Sequence, residues 1–198
     1  MNTPANTREQ LLDYAQTLIS TRGCNGFSYR DLADHVGVKT SSIHYYFPCK
    51  DDLVREAIED YSTRAKGKVY SIDASLPADI KLDRYAGVLE EVIGSGKQLC
   101  IGGMLAADLD SLPESVRCVL RSFFVSMEAW LTQVVLEGVE QGTLQVCGDP
   151  RVVARAMFAT VQGSMLTARV FDEPGRIREA LNSLFIRHCD TGGAGAAA

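Results

Sequence analysis

The 198-residue sequence predicts an all-α protein, with three short helices at the amino end and about six longer ones after them. Three observations lead there. Apolar residues recur every three or four positions through most of the chain, glycine and proline fall between those stretches, and no clear strand pattern occurs. Val134-Val135-Leu136 is β-prone but lies inside a long amphipathic pattern, so helix is expected there as well.

Thr7-Arg8-Glu9-Gln10 has the form of a capping box, with Thr7 as N-cap and Gln10 reaching back; Leu11, Leu12, Ala15, Leu18 and Ile19 follow at helical spacing, and Gly23 ends the helix. Ser28 is the next N-cap, with Asp31 three residues on, and it opens a short helix carrying Leu32, Ala33 and Val36 that stops at Gly37. A third helix is predicted over 40–47, closed by Pro48, and a longer one starts at Lys50 with Leu53, Ala57, Ile58 and Tyr61 on one face. Residues 67–78 read as a loop. Helical patterns resume over 79–93, 100–111, 114–141, 150–170 and 174–188, and the small-residue end, 191–198, reads as a disordered tail.

Composition narrows the classes. With 46% hydrophobic and 23% charged residues, the chain has globular rather than disordered composition. Charges or glycines interrupt every apolar run before transmembrane length, and the first ten residues hold no apolar signal core, so no membrane role and a cytoplasmic location are expected. Six cysteines without a C-x-x-C pair argue against zinc and dithiol motifs and for free thiols packed as small hydrophobes. The net charge of −5 is unevenly spread: residues 1–50 carry five Lys/Arg against four Asp/Glu, which leaves them at +1 and the remainder at −6.

The stretch from Ser28 to Lys50 meets the demands of a helix-turn-helix. Leu32 and Val36 face the core one turn apart, Ala33 is small where the second helix crosses, and Gly37 stands where the turn requires positive φ. Val38 and Ile43 return to the core and Tyr46/Phe47 close it. Lys39, Thr40, Ser41, His44 and Tyr45 are left on the outer surface: short hydrogen-bonding groups, one cation and an aromatic, with no acid, as major-groove reading and phosphate contact require.

The run from Thr7 to about Ile58 resembles the DNA-binding domain of TetR/AcrR-family transcriptional regulators. The resemblance rests on Arg22-Gly23, on Phe27 to Ala33, on Val36-Gly37-Val38, on Ser42-Ile43 and on Tyr46 to Leu53. It implies that Lys39, Thr40, Ser41, His44 and Tyr45 lie in or beside the groove and that Ser28, Thr40, Tyr46 and Lys50 touch phosphates. Ser28 and Lys50 also stand at helix starts, where backbone N–H groups suit an anion. His44 departs from a common tyrosine in the family, and Ser41 from a frequent glycine. The resemblance further implies domains at 1–50 (DNA binding) and 51–190 (helical, ligand-binding and dimerising). The partners it implies are a double-stranded DNA operator, a small-molecule effector and a second copy of the chain. The expected function is a ligand-responsive regulator, a repressor that leaves a palindromic operator when a small hydrophobic or electrophilic effector binds. The alternative is an all-α small-molecule binding protein with no DNA role.

In the carboxy-terminal half, Phe123, Met127 and Trp130, with Tyr85, Met104 and Met165 from neighbouring helices, are candidates for an effector pocket; a helix at the centre of the core is the competing reading. Cys100 joins them through its segment, KQLCIGGMLAADLDSLPESVR, which resembles one carrying a cysteine in electrophile-responsive branches; Lys97 and a helix start would favour thiolate, whereas a buried structural thiol is the plainer reading. Asp108 and Asp110 read equally as pocket or surface groups. Residues 152–170 are apolar nearly all round and rich in small residues, so Ala156, Ala159 and Gly163, with Leu181 and Phe185 from the next helix, are expected to form a two-fold four-helix contact.

No catalytic residue, metal site or cofactor is predicted, and no enzyme. Gly94-Ser95-Gly96-Lys97 lacks the remaining glycine and Ser/Thr of a phosphate loop, Gly163-Ser164 lies outside any G-x-S-x-G elbow, and His35, His44 and His188 have no partner constellation; adjacent His188-Cys189 would point apart on a helix.

Overall fold

The computed structural model describes residues 4–96 and 98–187. Within them the chain forms α1 (Pro4–Arg22), α2 (Tyr29–Val36), α3 (Thr40–Tyr46), α4 (Lys50–Tyr70), α5 (Ala78–Gly94), α6 (Ile101–Ala107), α7 (Glu114–Gln141), α8 (Pro150–Phe171) and α9 (Arg176–Asn182). The all-α expectation holds, with one addition: Leu144–Gln145 (β1) pairs antiparallel with Ile186–Arg187 (β2).

Several boundaries differ from the pattern-based reading. Helix α1 starts at Pro4, a residue suited to a first helical turn because its missing N–H would have no partner there, so Thr7 lies inside the helix and is not its cap. Helix α4 continues through Gly67 to Tyr70 because Val69 packs into the core, which outweighs glycine's weak helix propensity; the loop is only 71–77. Helix α6 gives way after Ala107 to a 3-10 turn at Leu109–Ser111. Helix α9 ends at Asn182, short of 188, and the chain turns into β2. The predicted tail 191–198, Lys97 and the His188-Cys189 pair lie outside the described residues.

Two apolar cores organise the molecule. The first gathers Leu11, Ile19, Leu32, Ile43, Phe47 and Leu53 from α1–α4, and Ile101, Leu105, Val116 and Leu120 of α6 and α7 complete it. The second, around α5, α7, α8 and α9, includes Leu82, Met127, Leu131, Met157, Val161 and Ile177. By length and composition α7 would suffice to cross a membrane, but its apolar side is spent on both cores. Gly138 allows β1 to lie on α7: a Cβ there would fall 2.9 Å from Ala78 Cβ and inside contact with Leu144.

Polar ties bolt the amino-terminal helices to the body. Asp108 accepts the Cys24 N–H at 3.2 Å, Arg169 donates to the Thr21 carbonyl at 2.9 Å, and the Leu99 N–H donates to the Ser20 carbonyl at 3.1 Å. Asp108, left open by the sequence, is therefore a head-to-body bond.

Candidate DNA-reading surface and effector cavity

The local sequence builds the α2–α3 pair. The Ser28 N–H and hydroxyl both donate to the Asp31 carboxylate, at 2.8 and 2.7 Å, and these bonds hold the Asp31 carboxyl below its ordinary range. At the other end of α2, Gly37 adopts φ 75°, so that its own N–H and that of Val38 both reach the Ala33 carbonyl, at 2.9 and 3.1 Å. The chain then enters α3, whose Ile43 is wholly buried and is followed by buried Phe47; the Tyr29 hydroxyl donates to the Phe47 carbonyl at 2.8 Å and locks the end of α3 to α2.

With Ile43 and Phe47 anchored, helical geometry turns the remaining residues outward. Lys39, Thr40, Ser41 and His44 are exposed, and Tyr45 is 80% exposed with its ring edge-on to half-buried Tyr46 at 5.1 Å. His44 packs against Tyr29, ring centroids 4.9 Å apart, and its Nδ1 lies 3.3 Å from the Pro48 carbonyl. Ser28 is exposed at the start of α2. Half-buried Lys50 donates to the Phe27 carbonyl and lies 4.2 Å from the centre of the Phe27 ring, so in this state its ammonium braces the α2 entry. All eight sequence-selected residues thus belong to one end of the molecule.

Behind this head a cavity of about 390 Å³ opens between α1, α4, α5, α7 and α8. Tyr85, Cys100, Phe123 and Met127 line it, as the sequence proposed; Met104, Trp130 and Met165 pack beside it in the core, Trp130 against Tyr85 at 5.4 Å between ring centres. The Tyr61 hydroxyl donates to Cys100 Sγ at 3.4 Å, and burial pushes both the Tyr61 and Tyr85 phenols upward, keeping them protonated.

Sequence reasoning missed the α1 and α4 side of this cavity. Gln16, Tyr61 and Arg64 line it, and Gln16 and Arg64 form part of a polar clamp. Gln16 donates to the Ala57 carbonyl at 3.1 Å and to Asp60 at 2.7 Å; Arg64 pairs with Asp60 at 2.6 Å and Asp13 at 3.2 Å and donates to Gln16 Oε1. The available signal was Gln16 itself, a polar residue in register with Leu12 and Ile19 on the buried stripe of α1.

On α8 the buried side is Ala154, Met157, Phe158, Val161, Met165 and Ala168. The opposite side exposes Val152, Ala156, Ala159, Gly163, Leu166 and Val170, alternating steps of four and three residues. Leu181 and Phe185, expected to face a partner, instead are 1% and 7% exposed and pack inward, because α9 uses its apolar side to cover α5 and α8.

A helix held outward by a glycine turn, on a cavity-bearing helical body, defines a ligand-responsive helix-turn-helix regulator of transcription. Residues 11–57 match the family model described as "Bacterial regulatory proteins, tetR family", and residues 83–184 match "Tetracyclin repressor-like, C-terminal domain". A TetR-family regulator structure from Agrobacterium tumefaciens superposes with a TM-score of 0.86 at 33% identity, covering 93% of this chain and 100% of that one. One from Legionella pneumophila gives 0.79 at 30% identity, covering 93% and 97%. The transcriptional repressor DhaR of Mycobacterium sp. (strain GP1) is 24% identical over 166 residues, 82% of each chain. The chain belongs to the TetR family of DNA-binding transcriptional regulators. Regulators of this family bind DNA operators and small-molecule effectors and dimerise.

Proposed function

We propose that this protein is a homodimeric cytoplasmic repressor whose two α3 helices enter successive major grooves of a palindromic operator, with half-site centres about 34–36 Å apart or a multiple of that. The observation that carries this reading is the anchoring of α3 by Ile43 and Phe47, which leaves an outer surface free of acids from Lys39 to Tyr46. Lys39, Thr40, Ser41, His44 and Tyr45 reach the groove; Ser28, Tyr46 and Lys50 flank phosphates, Lys50 after leaving the Phe27 carbonyl. The apolar stripe of α8, with Ala156, Ala159 and Gly163 at its middle, faces its counterpart across the two-fold axis, and Leu181 and Phe185 support it from within.

The effector occupies the cavity that Tyr85, Cys100, Phe123 and Met127 line. Because α1 and α4 form one wall, an occupant that prefers the clamp open displaces the heads from operator spacing. Gel-shift and footprinting on the DNA flanking the protein's own gene test the assignment. Protection of two half-sites one turn or a whole number of turns apart, weakening steeply with salt, is expected; a folded dimer that binds no such DNA at low salt would overturn it.

A further inference from the structure

The cavity holds an unusual set of polar groups. Its deep wall is aromatic, with Phe123 and Phe158, and the hydrogen-bonding groups set among them are neutral: the Tyr85 hydroxyl, the Tyr61–Cys100 pair and the Gln162 amide. Tyr85 is 2% exposed, and its hydroxyl makes no hydrogen bond among the described residues. Among the described residues every buried polar side-chain atom sealed from solvent has a partner, so the Tyr85 hydroxyl is one that the cavity reaches. A phenol kept protonated by burial is a better donor than acceptor. An unused donor inside an apolar chamber favours a guest that brings an acceptor, because leaving such a group unpaired is unfavourable.

Among the described residues the cations are elsewhere. Arg64 lies at the rim and already serves Asp13, Asp60 and Gln16; drawing it to a guest's carboxylate would leave two protein acids without it. Lys68, the other described cation of the lining, is exposed. Among the described residues, a carboxylate carried to the depth of Tyr85 would therefore lose its hydration with no counter-charge in reach.

We propose that the cavity selects an uncharged, fused-ring-sized hydrophobic compound bearing a carbonyl oxygen, which accepts the Tyr85 hydroxyl proton while the rings stack among Phe123, Met127 and Phe158. This rests on the effector-site reading above and names the chemistry of its guest.

Trp130, the sole tryptophan, touches the Tyr85 ring, so its fluorescence reports occupancy directly. Three probes share one skeleton: 2-acetonaphthone, 2-ethylnaphthalene and 2-naphthoate, titrated into the full chain by fluorescence and calorimetry. The ketone is expected to bind about five- to tenfold more tightly than the hydrocarbon, a ratio matching one net hydrogen bond, and more tightly still than the carboxylate. Tyr85→Phe is expected to remove that ketone advantage and leave hydrocarbon binding unchanged. Equal affinity for ketone and hydrocarbon, tighter binding of the carboxylate, an unaltered preference in Tyr85→Phe, or no binding of any probe would overturn the proposal. Operator release is measured separately by gel shift: a ketone preference without release upholds the ligand class and overturns the effector reading.

Discussion

Tyr45 and Ile43 sit two residues apart on α3 and have opposite duties, one almost entirely in solvent and the other wholly buried. Tyr45→Ala should change unfolding free energy by no more than about 0.5 kcal/mol, yet weaken operator binding by about 1–3 kcal/mol if the ring reaches a base. Ile43→Ala should cost about 2–5 kcal/mol of stability; urea denaturation alongside gel shift separates the two effects. Lys39→Ala should weaken operator binding by about 1–3 kcal/mol and relax the preference at the base pair it reaches. Gly37 supplies a different residue-scale test. A Cβ there meets nothing within 4 Å, but the backbone stands at φ 75°. Gly37→Ala should therefore cost about 1–2 kcal/mol through conformation alone, read as a lowered urea midpoint; an unchanged midpoint would show that the turn does not depend on the left-handed backbone.

At the scale of elements, two polar joints matter. The α1–α4 clamp around Arg64 is half-exposed, and such pairs contribute only about 0–1 kcal/mol to stability. Its consequence should be coupling: Arg64→Ala is expected to leave unfolding nearly unchanged while altering the ratio of operator affinities with and without effector by about 0.5–2 kcal/mol, measured by DNA-binding titration in both states. The α5–α7 joint is more enclosed. Buried Lys81 donates to Glu137 at 2.6 Å, and this bond, with a second from Gln133, holds the Glu137 carboxyl below its ordinary range. A lowered native value means stability that is present above the unfolded carboxylate pKa of about 4.3 and is lost as pH falls through the native one. Glu137→Gln should accordingly cost about 1–3 kcal/mol at pH 7, with the gap to the parent closing below about pH 4; a gap constant from pH 7 to 3 would remove Lys81–Glu137 from the stability balance.

The whole molecule is a question of how two heads are held. The α8 stripe of Val152, Ala156, Ala159, Gly163, Leu166 and Val170 lies opposite that helix's core side, so a change there need not disturb the fold. Leu166→Glu should yield a folded monomer by sedimentation with helical content intact, and operator affinity should fall at least about a hundredfold, since one head lacks the second half-site. A variant that stays dimeric would move the interface to another face.

Much of this was legible beforehand, and the reason is local. Ser28 with Asp31, Gly37 with Ala33, and Ile43 with Phe47 act over three or four positions, so the order of short helices and the outward side of α3 follow from residues near in sequence. The composite cavity wall was not legible, because Gln16 and Arg64 meet across 48 positions of sequence, Tyr61 reaches the wall from the same distant helix as Arg64, and none of them is distinctive alone. The inward turn of Leu181 and Phe185, the extension of α4 through Gly67 and the bond from Asp108 to Cys24 also belong to tertiary packing. Periodicity tells which residues share one side of a helix; only the packed molecule decides what that side meets, since burial is settled by neighbours distant in the chain.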